Sequence, residues 1–181
     1  VVQDVKEFYT LKEVKHLAGK IGCACEAAFM KRADVIICTN KFRAKAMREY
    51  HGLKEEPIIF ENIFRLEYSR NFDFSEAEHK YGNIFKNDKF HIISTAGCAL
   101  ERTTDKLVRA MAEFRDDSEL ILVGGGSEED RKEIDTIVKE LSLDNIYMID
   151  RVNKDTLKWL ISKCDAGAVI YNKKDQNNLF C

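Results

Sequence analysis

The loop at residues 96–105 combines a glycine, an arginine and threonines in an order that could bind a phosphate. It follows an apolar run and precedes a predicted helix, which places Gly97 at a strand end and Arg102 just before the helix start at Thr103 or Thr104. Backbone N–H groups at a helix N-terminus and a guanidinium both donate well to anions. A structural alternative stays open, in which Gly97 only permits a turn and Arg102 pairs with an acidic neighbour in the loop.

Three consecutive glycines, Gly124–Gly126, follow the next apolar run along the chain. Glycines at 124 and 126 would let a ligand approach the backbone closely. A dinucleotide-binding fingerprint requires another glycine three residues after Gly126, where this chain has Glu129. The acidic residues that follow suit the helix dipole and would repel a pyrophosphate. The pattern therefore disfavours a dehydrogenase.

Two further loops, 150–153 and 172–178, are polar and also follow apolar runs. In an open parallel sheet, ligands bind outside the carboxyl ends of the strands, so these loops belong to the same candidate site. The sequence has no Walker loop, no Ser-His-Asp set and no His/Asp cluster with metal-ligand spacing. We therefore expect no metal site.

Short apolar runs alternate with helical stripes along the chain. The runs predicted to be strands are Asp34–Thr39, Ile58–Phe60, Phe90–Thr95, Leu120–Val123, Ile146–Ile149 and Ala168–Tyr171. Helices are predicted over 11–32 and 40–51. Three later helical stripes start near the capping residues Thr103 or Thr104, Ser127 and Asn153. This alternation predicts an α/β fold of parallel sheets with helices on both faces.

Residues 65–88 are polar and lack periodicity, which predicts a connector between two domains, 1–64 and 89–181. Basic side chains are densest in the predicted helix at 41–48. Two readings of that helix stay open: a solvated face, or a surface that binds anionic lipid.

The composition excludes several classes of protein. The chain has 181 residues, 45% of them apolar, so a disordered tail is excluded. Lys and Arg number 29 against 31 Asp and Glu, which argues against a nucleic-acid partner. No apolar run approaches the roughly 20 residues of a bilayer span, and the first residues do not resemble a signal peptide. The six cysteines lack metal or disulfide spacing, so we expect reduced thiols in a cytoplasmic protein.

In their order and spacing, these motifs resemble the group 1 (family 4) GT-B glycosyltransferases. The segments that carry the resemblance are Ala33–Asn40 ("AD-x-v-i-x-x-S"), Pro57–Asn62 ("v-I-x-N-G"), Ile92–Ala110, Leu120–Gly126 ("L-x-i-v-G-x-G") and Cys164–Ile170 ("a-D-v-x-v"). The resemblance covers nearly the whole chain, although Ile63 replaces the glycine of the second motif.

The resemblance implies GT-B-like doubly wound parallel sheets, with a partial N-terminal Rossmann-like piece and a C-terminal Rossmann-like domain. Residues 1–64 would end the acceptor-side domain, and residues 89–181 would form an incomplete donor-binding domain. The implied enzyme is a hexosyl- or other glycosyltransferase that moves a sugar from a nucleotide diphosphate sugar to a hydroxyl of a glycan or lipid-linked glycan. The implied setting is polysaccharide, glycolipid or glycoconjugate synthesis, without a metal or other cofactor, in the cytoplasm and peripherally at the membrane.

The family's donor-binding positions transfer to this chain in part. The residues expected to bind the donor are Gly97, Arg102, Thr103, Gly124, Gly126, Arg151 and Val152. Arg102 matches the family's lysine at the diphosphate, and Gly126, Arg151 and Val152 match positions beside the nucleoside. No catalytic residue is assigned.

Three family features are missing from their expected places. The arginine that usually joins the lysine falls near Cys98, the first of two glutamates is replaced within 175–178, and an N-terminal histidine would fall near Gln3. We therefore expect an internal fragment with little transferase activity of its own. The alternative is a non-catalytic nucleotide-binding α/β module, a degenerate transferase half.

Overall fold

The computed structural model describes residues 1–63, 72–85, 88–173 and 176–179. The chain divides into two compact units, one formed by residues 1–67 and 172–181 and the other by residues 68–171. Both units contain only parallel strand pairs among the described residues. The predicted α/β fold with parallel sheets is confirmed.

The first unit contains a three-stranded sheet in the order β1–β2–β3. Its strands are β1 (Val2–Val5), β2 (Val35–Cys38) and β3 (Ile58–Ile59), and its helices are α1 (Leu17–Met30), α2 (Lys41–His51) and the short α7 (Gln176–Leu179). The hydrophobic core of this unit is a cluster of six buried residues: Val5, Phe8, Met30, Cys38, Ala44 and Met47. Asn177 joins the end of the chain to this unit, because its Oδ1 accepts a hydrogen bond from the Phe8 amide at 2.6 Å.

The ends of α2 are set by local chemistry that the sequence predicts. The Asn40 side chain accepts from the Arg43 amide, and Gly52 ends the helix in the left-handed conformation at φ 62°. The helix predicted over 11–32 is wrong in its start, since α1 begins only at Leu17. Glu13 instead accepts hydrogen bonds from the amide and hydroxyl of Thr10, at 2.6 and 2.7 Å, which stabilises a turn before the helix.

The second unit contains a four-stranded sheet in the order β6–β5–β4–β7. The strands are β4 (Phe90–Ser94), β5 (Ser118–Val123), β6 (Ile146–Ile149) and β7 (Ala166–Gly167). The helices are α3 (Ser75–Tyr81), α4 (Thr104–Ala110), α5 (Glu128–Glu140) and α6 (Lys154–Lys163). Three 3₁₀ turns, Gly82–Phe85, Leu100–Arg102 and Met111–Phe114, connect them.

Strand β5 lies at the centre of this unit and is buried along its whole length. Leu120 and Leu122 contribute to one apolar cluster, whereas Ile121 and Val123 contribute to another. The first cluster includes side chains of α4 and α5, and the second includes side chains of α3 and α6. Alternating residues of one strand therefore form a core on each face, as a doubly wound sheet requires.

The last strand differs from its prediction. The structure places β7 at Ala166–Gly167, paired with Ile92 and Ile93 of β4, and not at 168–171. After the Ala168 amide bonds to the Ile93 carbonyl at 2.8 Å, the chain leaves the sheet. Val169 is consequently 74% exposed, although its apolar neighbours made it look like part of a buried strand.

The boundaries of the two units also differ from the expected connector at 65–88 and C-terminal domain at 89–181. Part of that connector, residues 75–85, is helical and packs on the second unit, where the Phe85 and Trp159 ring centroids lie 5.4 Å apart. The described residues after Tyr171 group with the first unit. Contacts between distant residues decide both boundaries, and a lack of periodicity does not reveal them. Residues 64–71 lie outside the described residues.

The five described cysteines are free thiols, and Cys181 lies outside the described residues. Cys38 is buried at the end of its apolar strand, whereas Cys164 is only half-buried. Burial, with a smaller effect of the Asp165 carboxylate, raises the pKa of the Cys164 thiol to about 11.

Candidate functional site

Loops at the carboxyl ends of β4, β5 and β6 surround an open cleft of about 890 Å³ in the second unit. Its lining includes Arg102, Gly124, Gly126, Arg151 and Val152, five of the seven residues expected to bind the donor. A smaller cleft of about 430 Å³ adjoins it at Arg151 and Val152. The larger cleft lies where ligands bind in open parallel sheets.

Gly97 does not line the cleft but holds two of its loops together. It is buried and left-handed, with φ 61°, and a Cβ at this position would lie 2.2 Å from the Gly125 carbonyl oxygen. The neighbouring Cys98 amide donates to that same oxygen at 3.1 Å. The backbone of the loop after β4 therefore packs directly on the glycine turn after β5, at a distance that only a glycine permits.

Thr103 also lies off the cleft. Its hydroxyl donates to the Arg102 carbonyl at 2.7 Å, and its backbone is left-handed at φ 58°. The amides of Arg102 and Thr103 already donate to Ala99 and Leu100, at 3.1 and 2.9 Å. These two N–H groups are thus committed within the loop, and the Arg102 guanidinium is the donor that this loop presents to the cleft.

Thr104, which the sequence indicated only as an alternative helix start, fixes the shape of the same loop. Its buried hydroxyl lies within hydrogen-bond distance of two carbonyl oxygens, those of Gly97 at 3.2 Å and Ala99 at 3.0 Å. A threonine at the first position of α4 therefore ties the helix to the loop. A hydroxyl that close to the helix start is the only signal in the sequence that could have indicated this role.

The Arg102 guanidinium lies against an aromatic ring. Its Cζ is 4.5 Å from the centroid of the Tyr171 ring, a cation–π contact. Tyr171 had been assigned to a buried strand, so its contact with Arg102 was not predicted.

Arg151 approaches the cleft from the loop after β6. A Cβ at position 125 would lie 3.2 Å from the Arg151 Nε, so the guanidinium lies against the glycine turn. Gly126 faces the other loop, since a Cβ there would lie 3.2 Å from the Cys98 carbonyl carbon. Gly124, at φ 127°, donates its amide to the Ile149 carbonyl at 3.0 Å, which ties the turn to β6.

Acidic side chains also line the cleft. Glu101 and Asp130 face it together with the two arginines. Helix α5 starts beside Asp130, whose amide donates to the Ser127 hydroxyl at 3.0 Å, as the sequence predicts. Two guanidinium groups and two carboxylates give the cleft separate places for anionic and for hydroxyl-bearing parts of a ligand.

A second polar cluster lies at the opposite, amino-terminal edge of the sheet. The buried Glu119 carboxylate lies 3.3 Å from the His91 Nε2 and accepts from the Tyr147 hydroxyl at 3.4 Å. Burial raises the pKa of Tyr147, and the nearby Glu119 adds to this effect. The cluster joins β4, β5 and β6 and lies far from the loops that line the cleft.

No three His, Cys, Asp or Glu side chains are grouped as a metal site within residues 1–63, 72–85, 88–173 and 176–179. None of the described helices is both long and apolar enough to cross a membrane.

The chain is similar in sequence to a glycosyltransferase of an archaeon. An uncharacterized glycosyltransferase of Methanocaldococcus jannaschii is 25% identical over 148 residues, which is 80% of this chain and 36% of the relative. No protein-family model matches the chain.

Solved structures are similar in fold. The Anabaena protein HepE in complex with UDP and glucose matches 93% of this chain and 45% of its own, with a TM-score of 0.72 and 15% identity. The same protein with UDP-glucose matches with a TM-score of 0.70 and 16% identity. The chain thus spans less than half the length of these proteins. It has an α/β fold with parallel sheets and helices that matches the fold of HepE.

Proposed function

We propose that this chain is part of a glycosyltransferase, similar to group 1 (family 4), that takes its sugar from a nucleotide diphosphate sugar. The observation that carries the proposal is the cleft at the strand carboxyl ends, into which Arg102 and Arg151 both face. The glycosyltransferase relative and the fold shared with HepE, which is solved with UDP and UDP-glucose, support the same donor class.

The proposed chemistry is stabilisation of the leaving group. As the bond between the sugar and the diphosphate breaks, negative charge develops on the diphosphate, and the Arg102 guanidinium neutralises it. Gly124 and Gly126 let the donor lie close to the backbone, and Arg151 and Val152 line the same cleft, where the family resemblance would put the nucleoside. In this proposal neither a metal nor another cofactor is needed.

The proposed acceptor is a hydroxyl of a glycan or lipid-linked glycan, so that the transferred unit, a hexose or another sugar, enters a polysaccharide, glycolipid or glycoconjugate. A cytoplasmic protein with peripheral membrane contact through 41–48 fits this role. In that helix Lys41, Lys45 and the 61% exposed Phe42 face outward. Arg43 is buried, where it donates to the Thr39 hydroxyl at 3.0 Å, and does not contribute to such a surface.

Because the chain spans less than half of its relatives, we propose that it binds donor yet transfers little by itself. A second candidate is a non-catalytic nucleotide-binding module. The observation that favours it is Cys98, near which the family's usual arginine would fall and which is buried with its thiol against the Met148 sulfur.

Calorimetric titration of the full chain with UDP-, GDP- and ADP-glucose tests the proposal. We expect one donor to bind with a Kd between about 1 μM and 1 mM, the usual range for enzyme substrates. Release of the nucleoside diphosphate in the presence of lipid-linked or oligosaccharide acceptors then separates a transferase from a binding module. Failure of all three donors and their diphosphates to bind would refute both candidates.

A further inference from the structure

Arg151 is the first residue after Asp150, at the point where β6 has ended and its loop enters the cleft. Its Nε and Nη2 would lie 3.2 and 3.5 Å from a Cβ at position 125. The guanidinium therefore lies over the glycine turn, close enough that a side chain at position 125 would press on it. There it lines the same cleft as Arg102, which arrives from the loop after β4.

Arg151 differs from the nearby Arg131 in that it has no acidic partner among the described residues. Arg131, a neighbouring guanidinium on α5, forms an ion pair with the Asp150 carboxylate. Among the residues that the structure describes, Arg151 has neither a hydrogen bond nor an ion pair. A guanidinium that offers five N–H donors and faces a cleft without a protein partner is suited to an anionic ligand.

The loop after β4 cannot neutralise a diphosphate alone. Arg102 is the cation that it presents to the cleft, since position 98 holds a buried thiol. The amides of Cys98, Arg102 and Thr103 already donate to carbonyl oxygens of the protein. Glu101 and Asp130 on the cleft would repel phosphate oxygens and accept hydrogen bonds from sugar hydroxyls. A diphosphate in this cleft therefore needs its second cation from another loop.

We infer that Arg151 binds the diphosphate of the donor together with Arg102, so that two loops supply the two cations. The inference rests on the proposed function, and it moves Arg151 from the nucleoside, where the family resemblance would place it, to the phosphates. Gly125 is then a residue of the binding site too, because a larger side chain there would displace the guanidinium.

A comparison of UDP with uridine separates the two roles of Arg151. Both ligands are titrated by calorimetry and ligand-observed NMR into the full chain and into Arg151→Ala, Arg151→Lys and Arg131→Ala. We expect Arg151→Ala to lower the affinity for UDP about tenfold, since a charged hydrogen bond to phosphate is lost. The affinity for uridine should change by less than twofold. The lysine variant should recover part of the loss, because it keeps the charge without the fork.

Arg131→Ala is the matched control and should bind both ligands as the wild type does. Unchanged UDP affinity in Arg151→Ala would overturn the inference, and an equal loss for UDP and uridine would place Arg151 at the nucleoside instead. Both results require that the wild type binds UDP. If it binds GDP or ADP instead, the same comparison is made between that diphosphate and its own nucleoside. If it binds no nucleoside diphosphate, the proposed function itself fails. The fluorescence of Trp159, the single tryptophan, checks that each variant is folded.

Discussion

The guanidinium of Arg102 lies over the ring of Tyr171, with 4.5 Å between Cζ and the ring centroid. The two residues are 69 positions apart, and both belong to the second unit. Tyr171 follows β7 after the chain has left the sheet, and this places its ring beside the loop after β4. The contact restricts a flexible side chain to the cleft, where it would meet a phosphate.

Replacing Tyr171 with leucine should weaken UDP binding, because the guanidinium loses the ring that orients it. Exposed cation–π contacts contribute about 0.5–1 kcal/mol, so we expect a loss of about two- to fivefold in affinity. Tyr171→Phe keeps the ring face and should bind as the wild type does. Calorimetry gives the UDP affinity of the wild type and of the two variants. An affinity of the leucine variant equal to that of the wild type would show that Tyr171 does not position Arg102.

Replacing Arg102 with alanine should have a larger effect. The loss of a charged hydrogen bond to the diphosphate costs about 1.5–3 kcal/mol, or roughly 10- to 100-fold in affinity for UDP. The control is Arg109→Ala, an exposed arginine of α4 that does not line the cleft, which should leave the affinity unchanged. Similar affinities for Arg102→Ala and the wild type would remove Arg102 from the site.

Replacing Gly97 with alanine should destabilise the second unit. The left-handed backbone costs about 1–2 kcal/mol for a residue with a Cβ, and the Gly125 carbonyl oxygen only 2.2 Å away adds to this cost. Gly167→Ala is the control, because no atom lies within 4 Å of a Cβ there. Urea unfolding followed by the fluorescence of the buried Trp159 gives both free energies.

A stability loss for Gly97→Ala no greater than that of Gly167→Ala would mean that the two loops do not pack as described. If the loops do separate, the UDP affinity of the folded fraction should fall as well, since Arg102 and Gly126 belong to the two loops that Gly97 joins.

The thiols should differ in reactivity according to their burial. With its pKa raised to about 11, Cys164 holds a thiolate fraction at pH 8 that is about a hundredfold smaller than that of an ordinary thiol. Cys25 is exposed on α1 and should be alkylated first, and Cys164 much later. Mass-spectrometric mapping after brief alkylation at pH 8 measures both rates.

Raising the pH from 9 to 11 should bring the alkylation rates of Cys164 and Cys25 closer together. In this range the Cys164 thiol loses its proton, whereas an ordinary thiol is already ionised. In denaturant all six cysteines should be titrated as free thiols. A faster reaction of Cys164 than of Cys25 would contradict the described burial, and a disulfide found by mass spectrometry would contradict the free thiols.

The sequence by itself determined the local elements and their class. Short apolar runs predicted β2, β4, β5 and β6, and the predicted caps Ser127 and Asn153 accept hydrogen bonds from amides three residues on. Gly52 ends its helix as predicted. These features depend on residues within about one turn of each other, so their patterns are readable along the chain.

Only the tertiary structure decided which residues meet. It brought Gly97 against the Gly125 carbonyl, set Tyr171 under Arg102, and assigned residues 75–85 and 172–179 to units that differ from those expected. It also showed that the apolar stretch after Ala168 is exposed. Each of these contacts joins positions far apart in the chain, and their free energy comes from packing and backbone geometry that no local periodicity encodes.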